Sequence, residues 1–244
     1  MPKIYAIILF FFVFLNFNSY AQKKSIRAKS ITENIIVDGK INESIWKSAD
    51  IATDFVMFEP DNGKPIPENK RTEVKVVYDN DAIYIAALLF DNEPDKILKE
   101  ITQRDEFGTS DLFGVFVNGF NDGQQDFQFF VNASDGQADC IATDTNGEDY
   151  SWDAVWKSKA IITDKGWTVE MRIPYAALRF PPEKKQTWGL NFYREIRRDR
   201  QQYSWSLLDR KIENESIQAG ILEGIENIET PTRLFLIPYA SQYF

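Results

Sequence analysis

The alternation of apolar and polar residues is clearest in the middle of the chain. Residues 73–79 (EVKVVYD) set Val74, Val76 and Tyr78 on one face, and residues 82–90 (AIYIAALLF) form a nearly continuous apolar run. A period of two marks a strand with one buried face. The Asp-Asn-Asp between the two runs predicts a hairpin. The arrangement recurs at residues 112–118 and 127–132 around Asn121-Asp122-Gly123, and at residues 154–163 and 167–173 around Asp164-Lys165-Gly166. Residues 188–196 and 202–206 form a fourth pair. Strands recurring after short turns predict an all-β fold, an antiparallel, jelly-roll-like β-sandwich. No repeat of the ~20–50-residue kind that builds solenoids or propellers is present.

Helical spacing is confined to two places. Residues 42–49 (NESIWKSA) place Ile45, Trp46 and Ala49 at helical intervals and predict one short helix near the start. Residues 175–178, after Pro174, predict a single helical turn. Ahead of the helix, a polar leader over residues 22–30 runs into a first β segment at residues 35–37, closed by the turn Asp38-Gly39. A loop bearing Pro and Gly spans residues 59–69.

The two ends differ from the rest. Lys3 precedes an apolar core over residues 4–17, and Ser19-Tyr20-Ala21 sets small residues at the −3 and −1 positions of a cleavage site. This is the layout of a secretory signal peptide over residues 1–21, and the apolar core is short against the ~20 residues of a spanning helix. The expectation is export, to the periplasm or the outer membrane and cell envelope. At the other end, residues 229–244 contain an apolar, strand-like run, RLFLIPYASQYF. The sandwich is assigned to residues 31–228.

Composition narrows the chemistry. With 37 acidic against 28 basic residues the net charge is −9, so nucleic acid and anionic membrane surfaces are poor partners, and a neutral or cationic ligand fits better. There is no histidine, which excludes Ser-His-Asp and Cys-His triads, His-ligated zinc and imidazole acid–base catalysis. Cys140 is the one cysteine, so no internal disulfide forms. Beside Ala138 and Ile141 it reads as a small buried filler.

An ordered series of segments resembles the family 9 carbohydrate-binding modules: IVDGKINESIWKSAD, VKVVYDNDAIYIAALLFDNEP, SDLFGVFVN, DFQFFVNASDGQADC, WDAVWKSKA, GWTVEMRIPYAAL and WGLNFYREIRR. The version with QRDEFGTSD, WDAVW and LRF looks like the amino-terminal domain of large exported bacterial proteins that carry a predicted outer-membrane β-barrel. In that reading residues 233–244 are the first strand of a truncated barrel, a partner domain in the full-length protein.

The resemblance implies a non-catalytic module that clamps a sugar between two tryptophans, with arginine, glutamate and asparagine nearby. The clamp positions have changed here. The first tryptophan falls in Asp105-Glu106-Phe107-Gly108, no tryptophan follows Trp205, and the arginine and glutamate fall on Phe130 and Gly114. Asn132 is retained. Flat apolar faces for a pyranose ring and fixed polar groups for its hydroxyls are still required. The candidates for a saccharide or glycan are Phe107, Tyr150 and Trp152 as stacking faces, with Arg104, Asp105, Asp111 and Asn132 as polar contacts. An alternative for Arg104 with Asp105 or Asp111 is an ion pair pinning a loop to the sheet. Trp46, Trp156, Trp167 and Trp188 read as core.

The resemblance also admits a structural calcium. Candidate oxygen ligands are Asp91, Asn92, Glu93 and Asp95, or Asp135, Asp139 and Asp144, neither set matching an EF-hand loop. No carboxylate pair is marked for glycosidase work, and Arg197-Arg198-Asp199-Arg200 reads as a solvated hairpin end. The rival to sugar binding is a structural domain that docks against a membrane barrel.

Overall fold

The computed structural model describes residues 23–229. Among these, the strands are β1 (Ser25–Arg27), β2 (Lys29–Ser30), β3 (Val56–Glu59), β4 (Thr72–Tyr78), β5 (Ala82–Phe90), β6 (Leu112–Asn118) and β7 (Gln125–Asn132). There follow β8 (Gln137–Thr143), β9 (Gly147–Asp149), β10 (Lys157–Thr163), β11 (Gly166–Pro174), β12 (Trp188–Ile196), β13 (Gln201–Ser204) and β14 (Gly220–Glu223). They form two sheets. One is nine-stranded, in the order β1-β14-β12-β6-β7-β8-β9, with β13 paired to β12 and β3 to β13. The other runs β10-β11-β5-β4-β2. All four expected hairpins are present.

The sandwich core follows from alternation. Val74 and Val76 of β4 face Phe113, Val115 and Val117 of β6, Phe127, Phe129 and Val131 of β7, and Leu190 and Phe192 of β12. Trp156, Trp167, Trp188 and Trp205 are buried in the same cluster. The apolar run of β5 has a further cause, since both of its faces are covered. Ile83, Ile85, Ala87 and Leu89 face the sandwich core, while Ala82, Tyr84 and Ala86 pack under Ile31, Ile35, Trp46 and Ala49. A strand buried on two faces reads as continuous hydrophobicity.

Three expectations about the first fifty residues change. The short helix is only a 3-10 turn, Ser44–Lys47. Its preceding residue, Glu43, does not cap it, but takes the Trp46 indole N–H and the Ile36 N–H at 3.2 Å each. So short a segment, anchored by a tryptophan, gains little from an α-helical ladder. Residues 35–37 form no strand, and Ile35 instead inserts into the outer layer over β4 and β5. The polar leader does form strands. β1 pairs with β14 and β2 with β4, both parallel, so the sandwich is not wholly antiparallel. Only Ala28 separates β1 from β2, and the two lie in different sheets. Residues 175–178 do form the expected turn, Tyr175–Ala177.

Two buried polar devices hold the layers. Glu170 on β11 accepts the backbone N–H groups of Asp38 and Gly39 at 3.0 and 2.7 Å, fixing the 38–39 turn. Gly39 has φ +82°, and a Cβ there would lie 2.7 Å from Ile161, so the turn needs glycine. Arg194, fully buried on β12, donates to the carbonyls of Lys70 and Phe90 at 2.5 and 2.8 Å and to the Thr72 hydroxyl at 2.9 Å. It bridges from one sheet to the other.

The expected signal peptide, residues 1–21, and the tail over residues 233–244 lie outside the described residues.

Candidate functional site

The outer face of the nine-stranded sheet carries two adjoining hollows. Where Phe113, Val115 and Phe129 point inward, their neighbours Gly114, Phe116, Gln128, Phe130 and Tyr193 point outward. Register aligns Tyr193, Gly114 and Phe130 in one row across β12, β6 and β7, and Asn191, Phe116 and Gln128 in the next. Gly114 makes room for the Phe130 and Phe116 rings to lie across it. A Cβ at that position would lie 2.9 Å from the Phe130 ring.

Aromatic rings floor the larger hollow. Phe116 stacks on Tyr193 at 6.0 Å between centroids, and Phe130 meets Phe116 edge-on at 5.4 Å. Phe107, from the loop before β6, stands edge-on to both Phe130 and Tyr150, at 5.2 and 5.7 Å. Phe58 of β3 and Leu208 complete the walls of a cavity of about 440 Å³. A second hollow of about 250 Å³ continues from it, sharing Phe116, Gln128, Glu148, Leu208 and Glu215.

Polar groups stand among the rings. Glu195, nearly buried, accepts from Arg197 Nη1 at 2.7 Å and from the Tyr193 hydroxyl at 3.2 Å. Tyr150 donates its hydroxyl to Glu148 at 2.8 Å. Burial first, and the carboxylate beside each ring next, raise both phenols above their ordinary range, so they act as neutral donors. Gln128 is only 7% exposed, and its carbonyl oxygen receives the Cys140 thiol at 3.6 Å. Among the described residues, its amide nitrogen has no partner. Cys140 is buried beneath this floor, and burial pushes its thiol up to about 12. The filler reading of the sequence holds.

The predicted site residues separate. Phe107 and Tyr150 line the hollow, both half-buried. Trp152 does not join them. It packs on the opposite face of β7, against Phe127 and Phe129 at 5.3 and 6.1 Å, partly buried at the edge of the core. Trp152 lies in the segment between β9 and β10, and its ring closes over the inward-facing rings of β7 rather than the outward-facing Phe130.

Arg104 pins its loop to β8, but chiefly through Asp139 and Asp153; of the expected ion-pair partners, Asp105 lies 3.7 Å away and Asp111 is not in contact. The guanidinium contacts Asp139, Asp153 at 3.0 Å, Gln137 at 3.1 Å and the Ala154 carbonyl at 3.0 Å. Asp105 completes the attachment by receiving the Asp139 N–H at 3.0 Å. Asn132 is consumed locally: its oxygen takes the N–H groups of Ser134 and Gly136, and its nitrogen donates to Thr102. Asp111 points inward, fully buried, with one oxygen accepting the Arg197 N–H at 3.0 Å and the other unpartnered.

The calcium candidates do not fit a cation cage. Asp91 binds Arg198 at 2.8 and 2.7 Å and Lys70 at 3.4 Å, and Glu93 pairs with Lys96. Asp135 holds Lys159 at 2.6 Å, and Asp139 takes Arg104 and the Trp156 indole. Among the described residues no three acidic, histidine or cysteine side chains converge on one point. The same contacts correct the reading of the arginine run. Arg198 is a nearly buried anchor on Asp91, while Arg197 faces the hollow.

Phe116, Phe130, Tyr193, Gln128, Glu148, Glu195 and Glu215 were not singled out in the sequence as contacts. For Phe116, Phe130, Tyr193, Gln128 and Glu195 the available signal was outward parity on strands whose alternate residues are plainly core, whereas Glu148, on the exposed β9, and Glu215, outside any strand, carried none.

Comparisons with known proteins agree with this architecture. The family model described as carbohydrate family 9 binding domain-like matches residues 37–205. A family 9 carbohydrate binding module from Caldicellulosiruptor kristjanssonii, in complex with cellotriose, superposes with a TM-score of 0.60 at 15% identity, covering 89% of this chain and 100% of that one. The complex with glucose gives 0.60 at 14% identity, covering 87% and 99%. A Bacteroides uniformis protein named as a candidate carbohydrate-binding protein gives 0.65 at 13% identity, covering 83% and 99%. At such identities the likeness is one of fold. No curated protein matches the chain. The family match spans more than half of the sequence, and the chain belongs to the carbohydrate family 9 binding domain-like family.

Proposed function

We propose that the chain is a non-catalytic saccharide-binding module of an exported cell-envelope protein, and that the saccharide lies in the aromatic hollow on the outer face of the nine-stranded sheet. The observation that carries the reading is convergence. Phe107, from the loop that the resemblance aligns with the first clamp tryptophan, and Phe130, at the position of the clamp arginine, line this one cavity although they come from a loop and a strand. Ring faces with interleaved carboxylates, amide and phenol groups are the chemistry that a pyranose needs. The structures similar in fold include modules in complex with cellotriose and glucose. Export is supported by the apolar run over residues 4–17 with its small-residue cleavage pattern.

The test is a glycan-array screen of the full chain, with and without calcium. Saturable binding to a defined sugar, weakened by Tyr193→Ala, is the expected result. A blank from a folded chain would overturn the reading in favour of a domain that docks on a membrane barrel.

A further inference from the structure

We infer that the hollow selects a positively charged saccharide, one carrying a free ammonium group in place of a hydroxyl. The inference rests on the saccharide reading above and narrows it to a chemical class.

The charge of the lining is one-sided. Asp126 of β7, Asp144 beyond β8, Glu148 of β9, Glu195 of β12, and Glu213 and Glu215 from the segment before β14 all border the joined hollows. Among the described residues the only cation in that lining is Arg197, and it is paired with Glu195 at 2.7 Å. Five carboxylates thus line the two adjoining hollows, Glu148 and Glu215 bordering both, with no cation of the protein between them. An anionic sugar would meet repulsion from all of them, and a neutral sugar would leave their mutual repulsion as it is.

Glu215 shows the strain of this arrangement. Among the described residues its carboxylate has neither an ion-pair nor a hydrogen-bond partner. Partial desolvation first, then the charges of Glu148, Asp126 and Glu59, hold its proton above the usual carboxylate range. Asp126 is raised as well, by burial chiefly, although the Ser216 hydroxyl donates to it at 2.6 Å. A ligand cation placed between such groups relieves repulsion as well as adding attraction.

A second observation points to a ligand independently of charge. Gln128 is nine-tenths buried at the junction of the two hollows, and its amide nitrogen is left without a partner there. That nitrogen opens onto the hollow, and a sugar oxygen can accept from it. The faces of Phe116 and Tyr193 lie in the same floor and attract cations as well as apolar ring faces.

The experiment is calorimetric titration of the full chain with three trimers of the same β-1,4-linked backbone. They carry an ammonium (the glucosamine trimer), an acetamide (its N-acetylated form) or a hydroxyl (cellotriose) at carbon 2. The expected result is binding of the glucosamine trimer about tenfold tighter than cellotriose at low salt, as two or three partly exposed ion pairs would give. That preference shrinks in ~0.5 M salt. Glu215→Gln and Glu148→Gln each narrow the ratio of the two affinities, whereas Glu183→Gln, which removes the same charge outside the hollow, does not. Equal or tighter binding of cellotriose, or an equal effect of Glu183→Gln, overturns the inference alone. Binding by none of the trimers and by no sugar on the array removes the saccharide reading and this inference together.

Discussion

The guanidinium of Arg194, on β12, donates to the carbonyl oxygen of Phe90, on β5, at 2.8 Å, across the gap between the two sheets. The same side chain holds the Lys70 carbonyl and the Thr72 hydroxyl. It is also the charge that Asp111 and Asp91 face. Arg194→Met therefore orphans buried acceptors and leaves buried carboxylates short of a cation. The expected cost is about 3–5 kcal/mol in urea denaturation. Arg194→Lys restores only part of it, because one ammonium cannot reproduce the fork. A loss below ~1 kcal/mol for Met would show that the bridge is dispensable.

Asp111 gives a pH test. Burial, the largest influence, outweighs the Arg197 N–H and the charges of Arg194 and Arg198, and lifts its carboxyl from 3.8 to about 6, with Asp91 adding to the rise. The folded state then holds a proton that the unfolded state has released. Between about pH 4 and pH 6 stability falls as pH rises, and the penalty is complete above that window. Asp111→Asn removes the titration. Relative to the parent it gains roughly 2–3 kcal/mol on going from pH 4 to pH 7.5. A difference between the two proteins that does not vary with pH would refute the assignment.

Trp152 and Tyr193 exchange the roles that aromaticity alone suggests. Trp152 lies over Phe127 and Phe129 on the core side, partly buried, so Trp152→Ala lowers stability by about 1–3 kcal/mol and leaves sugar affinity intact once the chain is folded. Tyr193→Ala does the reverse. It removes a ring of the floor and weakens binding by about tenfold or more, as loss of a stacking anchor does. Melting curves and titrations on both variants check the pair, and loss of binding in Trp152→Ala would be the contrary result.

Arg104 acts on the hollow through its loop. Its contacts to Asp139, Asp153 and Gln137 hold the segment that carries Phe107. Arg104→Ala leaves Asp139, which is wholly buried, with one cation fewer. The expected loss is about 1–3 kcal/mol, below that of a fully buried pair because Arg104 is itself 37% exposed. Hydrogen exchange across residues 101–109 should quicken in this variant, and unchanged exchange would show the loop to be held by other contacts.

Much of the fold was legible because its signals are local. Asp-Asn-Asp and Asn-Asp-Gly between alternating runs mark hairpins whatever the remainder of the chain does. β1 and β2 were not legible, being short, polar and paired in parallel with strands far along the sequence. The hollow was half legible. Phe107 and Tyr150 attract notice in loops, but Phe116, Phe130 and Tyr193 sit in strands that look like core. Only the registers of β12, β6 and β7 show that these three share an outer face with Gly114 between them. Asn132, the one clamp residue kept by the resemblance, is spent on its own turn.

The passage of the chain from β1 through Ala28 to β2 also sets an order of events. Ile26 is registered against Leu222, almost the whole described chain away. During synthesis the first strand is made long before its partner exists, and contacts of such separation are slow to form. The stitch joining the two layers at Ala28 can be drawn tight only after residue 223 has emerged. A nascent chain halted before that point has hairpins but no finished seam, because β1 has nothing to pair with until β14 arrives.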